Sequence, residues 1–274
     1  MSGFSYDLHM IRVLWRRDLL LFWRQKSRVA GSFVQPLLFW LAIGAGLSPT
    51  FRLGSGDVGY FQYFYPGVVL LVVLMTTLFT TMSVIEDRSQ GFLQGVLVAP
   101  GSRVALVLGK CLGSSSVAGI QAAVFLLLMP LAGMPLSGVH WGSLFLVLGF
   151  TALALSAAGF AVAWWLDSIQ GYHVVMSVIL FPLWILSGAM FPPGGLHPVL
   201  KAIVVANPLS YATAGLRRAL CGGTVPAGTD LLGAGSGAIE LWVTAVFAAA
   251  AVAAAAWTCA RRPAVGEAAA RVRR

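Results

Sequence analysis

Six apolar runs, separated by charged or Pro/Gly-rich segments, constrain most strongly what this chain can fold into. They cover residues 29–47, 63–85, 104–131, 141–166, 171–191 and 238–260. Each is long enough to cross a bilayer as a helix, which takes about 20 apolar residues. With 58% hydrophobic and only 10% charged residues, the chain exceeds what one water-exposed globule buries. We therefore predict an all-α integral membrane protein with six transmembrane helices, and this excludes an ordinary soluble enzyme.

The distribution of basic residues predicts the orientation of these spans. If the connecting segments alternate between two sides, 14 of the 18 Lys and Arg residues lie on the side of the two termini. Because Lys and Arg concentrate in cytoplasmic loops, both termini are expected in the cytoplasm. The net charge of +9 follows the same pattern and indicates contact with the lipid bilayer. It does not indicate nucleic-acid binding, because no basic groove interleaved with aromatic residues accompanies it.

The N-terminal segment is predicted to be a cytoplasmic amphipathic helix in the membrane interface. Within residues 7–24, one stripe is apolar and most arginines lie opposite it. The stripe holds Leu8, Ile11, Trp15, Leu19 and Phe22, and the arginines are Arg12, Arg16, Arg17 and Arg24. The helix either only anchors the chain or also docks a cytoplasmic partner. The expected division is an interface helix at 1–28, a six-span domain at 29–260 and a basic cytoplasmic tail at 261–274.

A short apolar helix is predicted in the cytoplasmic loop after the second span. Glu86 and Asp87 are expected to end that span, because a charge at the membrane centre costs about 2.5 to 3.5 kcal/mol. Beyond them, Phe92–Val98 places Leu93 and Leu97 on one helical face, and a Pro-Gly pair stops the helix. This apolar face either rests on the bilayer interface or inserts into a partner protein.

Two short helices are predicted on the outer side, before the last span. Residues 196–206 are apolar but form only about 16 Å of helix, which is too short to cross. Asn207 suits an N-cap, Pro208 the first helical position, and Gly222 and Gly223 a helix stop. We expect a re-entrant or surface-lying helical hairpin here.

The sequence shows no nucleotide, metal or catalytic motif. The nearest match to a phosphate-binding loop, Gly109-Lys110-Cys111, has Val104 in place of the first glycine and lacks the Ser or Thr that holds magnesium. The four histidines and three cysteines are scattered, and the acidic residues fall at span ends or in loops. We therefore expect no cofactor in this chain and no energy coupling of its own, so that a partner would drive it.

Short motifs are spread over nearly the whole chain. In order they are Tyr65-Pro66-Gly67, Glu86-Asp87-Arg88 followed by Gly91, Leu93, Leu97 and Pro100, then Gly109-Lys110, Leu186-Ser187-Gly188, Phe191-Pro192, Asn207-Pro208-Leu209-Ser210-Tyr211 and Leu216-Arg217. Their order and spacing resemble the permease subunits of type-2 ABC exporters. The nodulation-factor and daunorubicin-type drug-export branch is the most similar.

The resemblance implies a half-transporter. Two copies of the permease, as a homodimer or with a paralogous permease, would pair with two copies of a cytoplasmic ABC ATPase that holds ATP and magnesium. The ATPase-coupling residues that it implies are Arg12, Trp15, Arg16, Glu86, Asp87, Arg88, Gly91, Leu93, Leu97 and Pro100. The very short connection at 167–170 speaks against a second coupling contact there.

The resemblance also implies a cap and a substrate path. The cap over the exit would include Phe191, Pro192, Asn207, Pro208 and Tyr211. The path would run between the two copies along the first, second and fifth spans. Its candidate polar residues are Gln35, Thr76, Thr77, Thr80, Ser177 and Ser187. Alternatively, these side chains only pack helices or bond locally, as Ser and Thr commonly do in membranes.

The leading hypothesis is the permease of an ATP-driven exporter that moves a hydrophobic or amphipathic molecule, such as a drug, a lipid or a lipid-linked glycan, out of the cytoplasm. The alternatives are a self-contained secondary transporter or channel, and a membrane-embedded enzyme, which would need clustered His, Asp or Glu. Rich use of Arg, Ala and Gly, with three lysines and one asparagine, is typical of a GC-rich bacterial genome. The expected location is therefore the bacterial plasma membrane.

Overall fold

The computed structural model describes residues 3–48, 59–223 and 237–261, and the secondary structure of these residues is helical, without strands. Six helices are long and apolar enough to span a membrane, which confirms the predicted fold class. They are Lys26–Leu47, Tyr60–Ser89, Arg103–Leu126, Trp141–Trp165, Ile169–Ala189 and Gly237–Arg261. The described residues exclude most of the loop between the first and second spans, the connector at 224–236 and the tail from 262 onward.

Eleven α-helices are present in the described part of the chain. They are α1 (Gly3–Arg24), α2 (Lys26–Leu47), α3 (Tyr60–Thr81), α4 (Ser83–Ser89), α5 (Phe92–Val98), α6 (Arg103–Leu126), α7 (Trp141–Trp165), α8 (Ile169–Trp184), α9 (Pro198–Ala206), α10 (Pro208–Leu220) and α11 (Gly237–Arg261). A π-helical turn, Ile185–Ala189, continues α8. The spans are therefore α2, α3 with α4, α6, α7, α8 with its π turn, and α11.

The second span lies at the centre of the molecule. In its apolar stretch of 18 residues, 83% of the residues are buried, and α3 packs against α2, α6 and α7. The sequence explains this position, because α3 is apolar on every face rather than on one stripe. In the corresponding stretches of α2, α8 and α11, only 22% of the residues are buried. These three helices therefore keep faces that lipid or another protein must cover.

Two predicted span ends differ from the structure. The second span does not stop at Glu86 and Asp87, since helix α4 carries it on to Ser89. The physical reason is that both carboxylates are paired with basic side chains, so that the penalty for an isolated charge does not apply. The third span is shorter than predicted. It ends at Leu126, and a 3₁₀ turn containing Pro130 follows.

Helix α1 packs along the first half of α6. Leu14 is buried against Gly109, where an added Cβ would lie 3.0 Å from the Leu14 Cβ. This close approach requires glycine at position 109. Part of the predicted apolar stripe takes part in this packing, because the Ile11 backbone lies beside Gly109 and Phe22 is buried, whereas Leu8 and Trp15 are exposed. The helix therefore packs on α6 through one face and leaves only part of the apolar stripe uncovered within this chain.

Helices α9 and α10 meet at an angle of 83°. The bend occurs at Asn207, whose side-chain oxygen accepts a hydrogen bond from the Leu209 amide at 3.0 Å, as expected for an N-cap. Helix α9 is mostly exposed, whereas α10 is mostly buried against α3, α7, α11 and the end of α8. The two short helices expected before the last span are therefore present.

Candidate coupling and transport surfaces

Helix α5 follows the second span after a tight turn. Gly91 adopts a left-handed backbone conformation, with φ of 78°, which a glycine adopts without strain. The turn directs Leu93 into the core, where it is fully buried, and leaves Leu97 only partly buried. Val98 is 87% exposed. Leu93 and Leu97 therefore share the predicted face, but this face packs against the core of the chain itself, and the most exposed apolar side chain of α5 is Val98.

An open groove of about 560 Å³ separates α1 from α5. Most of its lining is apolar or glycine. The lining consists of Tyr6, His9, Met10, Val13 and Leu14 from α1, and Gly91, Phe92, Gly95, Val96, Ala99, Pro100 and Gly101 from α5 and its flanks. We call this surface the α1–α5 groove. Contiguous exposed apolar surface of this kind marks an interaction site.

Four charged side chains meet where α1, α4 and α6 converge. The Lys110 ammonium lies 2.9 Å from an Asp18 carboxylate oxygen and 2.5 Å from Asp87. Arg17 donates two hydrogen bonds to Asp87, one of them 2.8 Å long. We call these four residues the ion cluster. Burial raises the pKa of the Asp18 carboxyl, although Lys110 favours its charged form, and the hydrogen bonds to Asp87 raise the pKa of Arg17.

The neighbouring residues of the Glu86-Asp87-Arg88 motif are also engaged within the chain. Glu86 pairs with Arg28 at the start of α2, with one hydrogen bond of 3.1 Å. Arg88 donates to the Trp164 carbonyl at 2.9 Å and lies 3.1 Å from Asp167. The motif therefore ties the end of the second span to α2 and to the connection between α7 and α8. No pattern in the sequence predicts the contact between Arg88 and Asp167.

The remaining candidates for coupling lie on α1 and at the ends of α5. Arg12 and Arg16 are exposed, and the Trp15 indole donates a 3.0 Å hydrogen bond to Ser116 of α6. Gly91 and Pro100 line the α1–α5 groove. The structure therefore brings Gly91 and Pro100 to the groove, whereas Trp15 contacts α6.

Two of the six candidate residues for the substrate path have exposed side chains. Gln35 lines an open apolar pocket along α2 with a volume of about 610 Å³. It is the only polar side chain among the residues that line this pocket. Ser177 is exposed on α8. Phe39 of α2 contacts Phe181 of α8 edge to face, at 6.1 Å between ring centroids. Gln35 and Ser177 therefore lie on neighbouring helices whose faces are incompletely covered.

The other path candidates are turned into the protein. Thr76, Thr77 and Ser187 are buried. Thr77 donates to a carbonyl one turn earlier in its own helix, and the Thr80 hydroxyl lies 2.5 Å from that of Ser114. These contacts fit the alternative reading, in which the residues serve helix packing rather than a path.

The C-terminal end of α8 contains a break in the helix. Gly188, with φ of 73°, interrupts the helical backbone within the π turn. Its carbonyl accepts a 2.8 Å hydrogen bond from the Tyr63 hydroxyl and a 3.0 Å bond from Arg217. The Arg217 guanidinium also lies 4.4 Å from the centroid of the Tyr63 ring. The break thus joins α3, α8 and α10.

One face of α10 supplies further hydrogen bonds to this break. The donors are Asn207 to the Leu183 carbonyl, Ser210 to the Leu186 carbonyl and Thr213 to the Ser187 hydroxyl. Tyr211 instead bonds the Val205 carbonyl of α9 at 3.0 Å. Phe191 is half exposed, Pro192 is partly buried, and Pro208 begins α10. Of the expected cap residues, Asn207 thus bonds the end of α8, Tyr211 bonds α9, and Phe191 lies at the surface.

Sequence reasoning missed the partners within the ion cluster. The sequence places Arg17 on the polar side of the amphipathic helix and Lys110 in a short motif, and it does not single out Asp18. Opposite charges at the same expected membrane level on α1, α4 and α6 are the only signal that the sequence offers. Among the described residues, no three His, Cys, Asp or Glu side chains form a group that could hold a metal ion.

Six helices that are long and apolar enough to span a membrane, packed around a buried second span, define a multi-pass membrane protein. The ABC-2 type transporter family matches residues 9–221. The chain therefore belongs to the ABC-2 type transporter family, and it is a multi-pass permease subunit of an ABC transporter rather than an enzyme. Membership in this family implies an ATPase partner.

Curated relatives agree with this assignment. Nodulation protein J of Neorhizobium galegae is 26% identical over 229 residues, covering 81% of this chain and 85% of the relative. The daunorubicin resistance ABC transporter permease protein DrrB1 of Streptomyces coeruleorubidus is 27% identical over 218 residues, covering 76% of this chain and 74% of the relative. The similarity therefore extends over most of both chains.

Proposed function

We propose that this chain is the membrane permease of an ATP-driven exporter that moves a hydrophobic or amphipathic substrate out of the cytoplasm. Two copies of the chain would work with two copies of a separate cytoplasmic ABC ATPase, which would hold ATP and magnesium. The observation that carries the proposal is the α1–α5 groove, an uncovered apolar surface on the side where the basic residues predict the cytoplasm. Both termini would face the cytoplasm across a bacterial plasma membrane.

The α1–α5 groove is the proposed binding site for the ATPase. The groove is open at Gly95, because an added Cβ there would have no heavy atom within 4 Å. Val98 projects from α5 beside the groove, and the exposed Arg12 and Arg16 lie on α1. In this arrangement, α5 would enter the partner while α1 contacts it from the side. Leu93 and Arg88 would act from within the permease by fixing the position of α5.

The substrate path would use the uncovered faces of α2 and α8. Gln35 supplies one hydrogen-bonding amide in an otherwise apolar lining, and Ser177 supplies a hydroxyl. This lining contains no charged side chain, which favours substrates that are mainly apolar along this face. A drug, a lipid or a lipid-linked glycan satisfies this requirement. A homodimer would cover the same two helices with a second copy.

The outer cap would be the hairpin of α9 and α10. Its bend of 83° and the exposure of α9 fit a re-entrant element that lies over the exit. The hydrogen bonds from α10 to the end of α8 would hold this element against the fifth span.

Purification in mild detergent tests the proposal. The tagged chain is isolated from its native membranes, and the proteins that accompany it are identified by mass spectrometry. We expect a stoichiometric cytoplasmic ATPase. Recovery of the chain alone in several detergents would contradict the proposal and would favour a secondary transporter or channel.

A matched pair of variants tests the location of the contact. Gly95→Phe places a ring in the α1–α5 groove, and Gly142→Phe places the same ring at the start of α7; at both positions an added Cβ has no heavy atom within 4 Å. We expect Gly95→Phe to reduce ATPase recovery at least tenfold and Gly142→Phe to leave it unchanged. Equal recovery with the two variants would show that the groove is not the contact.

A further inference from the structure

The ion cluster links α1 to the end of the second span more tightly than packing requires. Lys110 lies between two carboxylates from different helices, Asp18 of α1 and Asp87 of α4. Arg17 adds a second connection from α1 to Asp87. The side chains of Lys110 and Asp87 are 2% and 3% exposed, so that these contacts are shielded from bulk water. Ion pairs this deeply buried fix geometry, and their net contribution to stability is often small.

The position of the cluster relative to α5 is informative. Asp87 precedes the Gly91 turn by four residues, and α5 begins directly after that turn. Any displacement of α5 therefore reaches Asp87 through a single helical turn. Asp87 itself is too deeply buried to touch a cytoplasmic partner. Its bonds to Arg17 and Lys110 lead to α1 and α6 instead.

A small polar cavity lies beside the cluster. Its volume is about 90 Å³, and its lining includes Arg17, Asp18 and Asp87 together with Thr80 and Ser114. A polar cavity of this size has room for several waters, since one water needs about 10 to 15 Å³ of such volume. Charged groups next to water exchange partners without crossing an apolar environment. The cluster is therefore joined firmly and still has room to rearrange.

We propose that the ion cluster transmits movement of α5 to α1 during the ATP-driven cycle. In this role Arg17, Asp18, Asp87 and Lys110 are positioning residues that contact neither ATPase nor substrate. α1 would move with α5 as one cytoplasmic unit, and α2 would follow through the bond between Arg28 and Glu86. This inference rests on the proposed function, because it needs an ATPase that acts on α5.

Arg17 is the most suitable residue for a test. Its side chain is 25% exposed, so its replacement leaves no fully buried cavity, and Lys110 still neutralises Asp87. Arg17→Gln breaks the link from α1 to Asp87 and also removes the guanidinium that lies 3.8 Å from the centroid of the Phe92 ring of α5, whereas Arg17→Lys retains the charge. Asp18→Asn removes the other link and serves as a second, independent variant. Arg24→Gln is the control, because Arg24 is an exposed arginine at the end of the same helix.

The experiment measures amide hydrogen exchange in the complete complex of permease and ATPase in lipid nanodiscs, with and without ATP and vanadate. In the wild type, Arg17→Lys and Arg24→Gln, we expect nucleotide to change the exchange of both α5 and α1. In Arg17→Gln and Asp18→Asn, the change in α5 should persist, while the change in α1 should fall by at least half. A full α1 response in both variants would overturn the inference.

The two proposals fail in different ways. If no ATPase accompanies the wild-type chain, the proposed function fails, and the inference fails with it. If the ATPase binds and α5 responds to nucleotide in the wild type while α1 does not, only the transmission role is wrong.

Discussion

The Tyr63 hydroxyl donates a 2.8 Å hydrogen bond to the carbonyl of Gly188, which lies in the break at the C-terminal end of α8. Carbonyl groups at the end of a helix have no partner within it, and burying one without a hydrogen bond costs about 1 to 3 kcal/mol. Arg217 reaches the same carbonyl from α10. Two buried donors from different helices therefore stabilise one irregular backbone segment.

Replacement of Tyr63 by phenylalanine tests this relationship. We expect Tyr63→Phe to lower the free energy of unfolding by about 0.5 to 1.5 kcal/mol, the usual net value of one hydrogen bond. Arg217 still satisfies the Gly188 carbonyl, which limits the loss. Thermal unfolding in mild detergent measures the effect, and Tyr6→Phe on the exposed side of α1 serves as the control. Equal stability of the two variants would contradict a structural role for the hydroxyl.

The orientation of α5 predicts a large effect of substitution on stability for one of its apolar residues and almost none for another. Leu93 is fully buried, so Leu93→Ala should destabilise the protein by about 2 to 5 kcal/mol. Val98 is 87% exposed, so Val98→Ala should change stability by less than about 0.5 kcal/mol. Chemical denaturation of both variants in the same detergent gives the comparison. A larger loss for Val98→Ala would mean that α5 is turned the other way.

Local patterns in the sequence predicted most of the architecture. Each span is a continuous apolar run, and the start of α10 is encoded by Asn207 and Pro208, which act through their own neighbouring backbone. The side of α5 that faces the core was not predictable in this way. It depends on the turn at Gly91, which sets the direction of α5 against the rest of the protein.

The ion cluster shows why part of the site could not be predicted from the sequence. Arg17 and Asp87 are 70 residues apart in the chain, and Lys110 is 92 residues from Asp18. Charges at span ends also set membrane orientation, so their presence there does not reveal a pairing. Similarly, Thr77 and Ser187 satisfy their hydroxyl groups within the protein, which a polar residue in an apolar run does not disclose.

The close contact between α1 and α6 predicts a strong effect of a single methyl group. In Gly109→Ala, the new Cβ would lie 3.0 Å from the Leu14 Cβ and 3.2 Å from the Ile11 Cα. Because a backbone atom is involved, α1 must shift away from α6. We expect faster amide exchange throughout residues 3–24. Gly119→Ala on the same helix has no heavy atom within 4 Å of its new methyl group and should leave the exchange of α1 unchanged.

Burial of Asp18 predicts how stability depends on pH. Because burial raises the pKa of its carboxyl in the folded protein, folding favours the protonated form. The stability from this group is fully present below its unfolded pKa of about 3.9, and it is lost as pH rises through the folded value. Asp18→Asn removes this titration. The thermal midpoint of the wild type should therefore fall relative to that of Asp18→Asn as pH rises from about 4 toward neutrality. A difference that grows in favour of the wild type over this range would mean that pairing with Lys110 outweighs burial at Asp18.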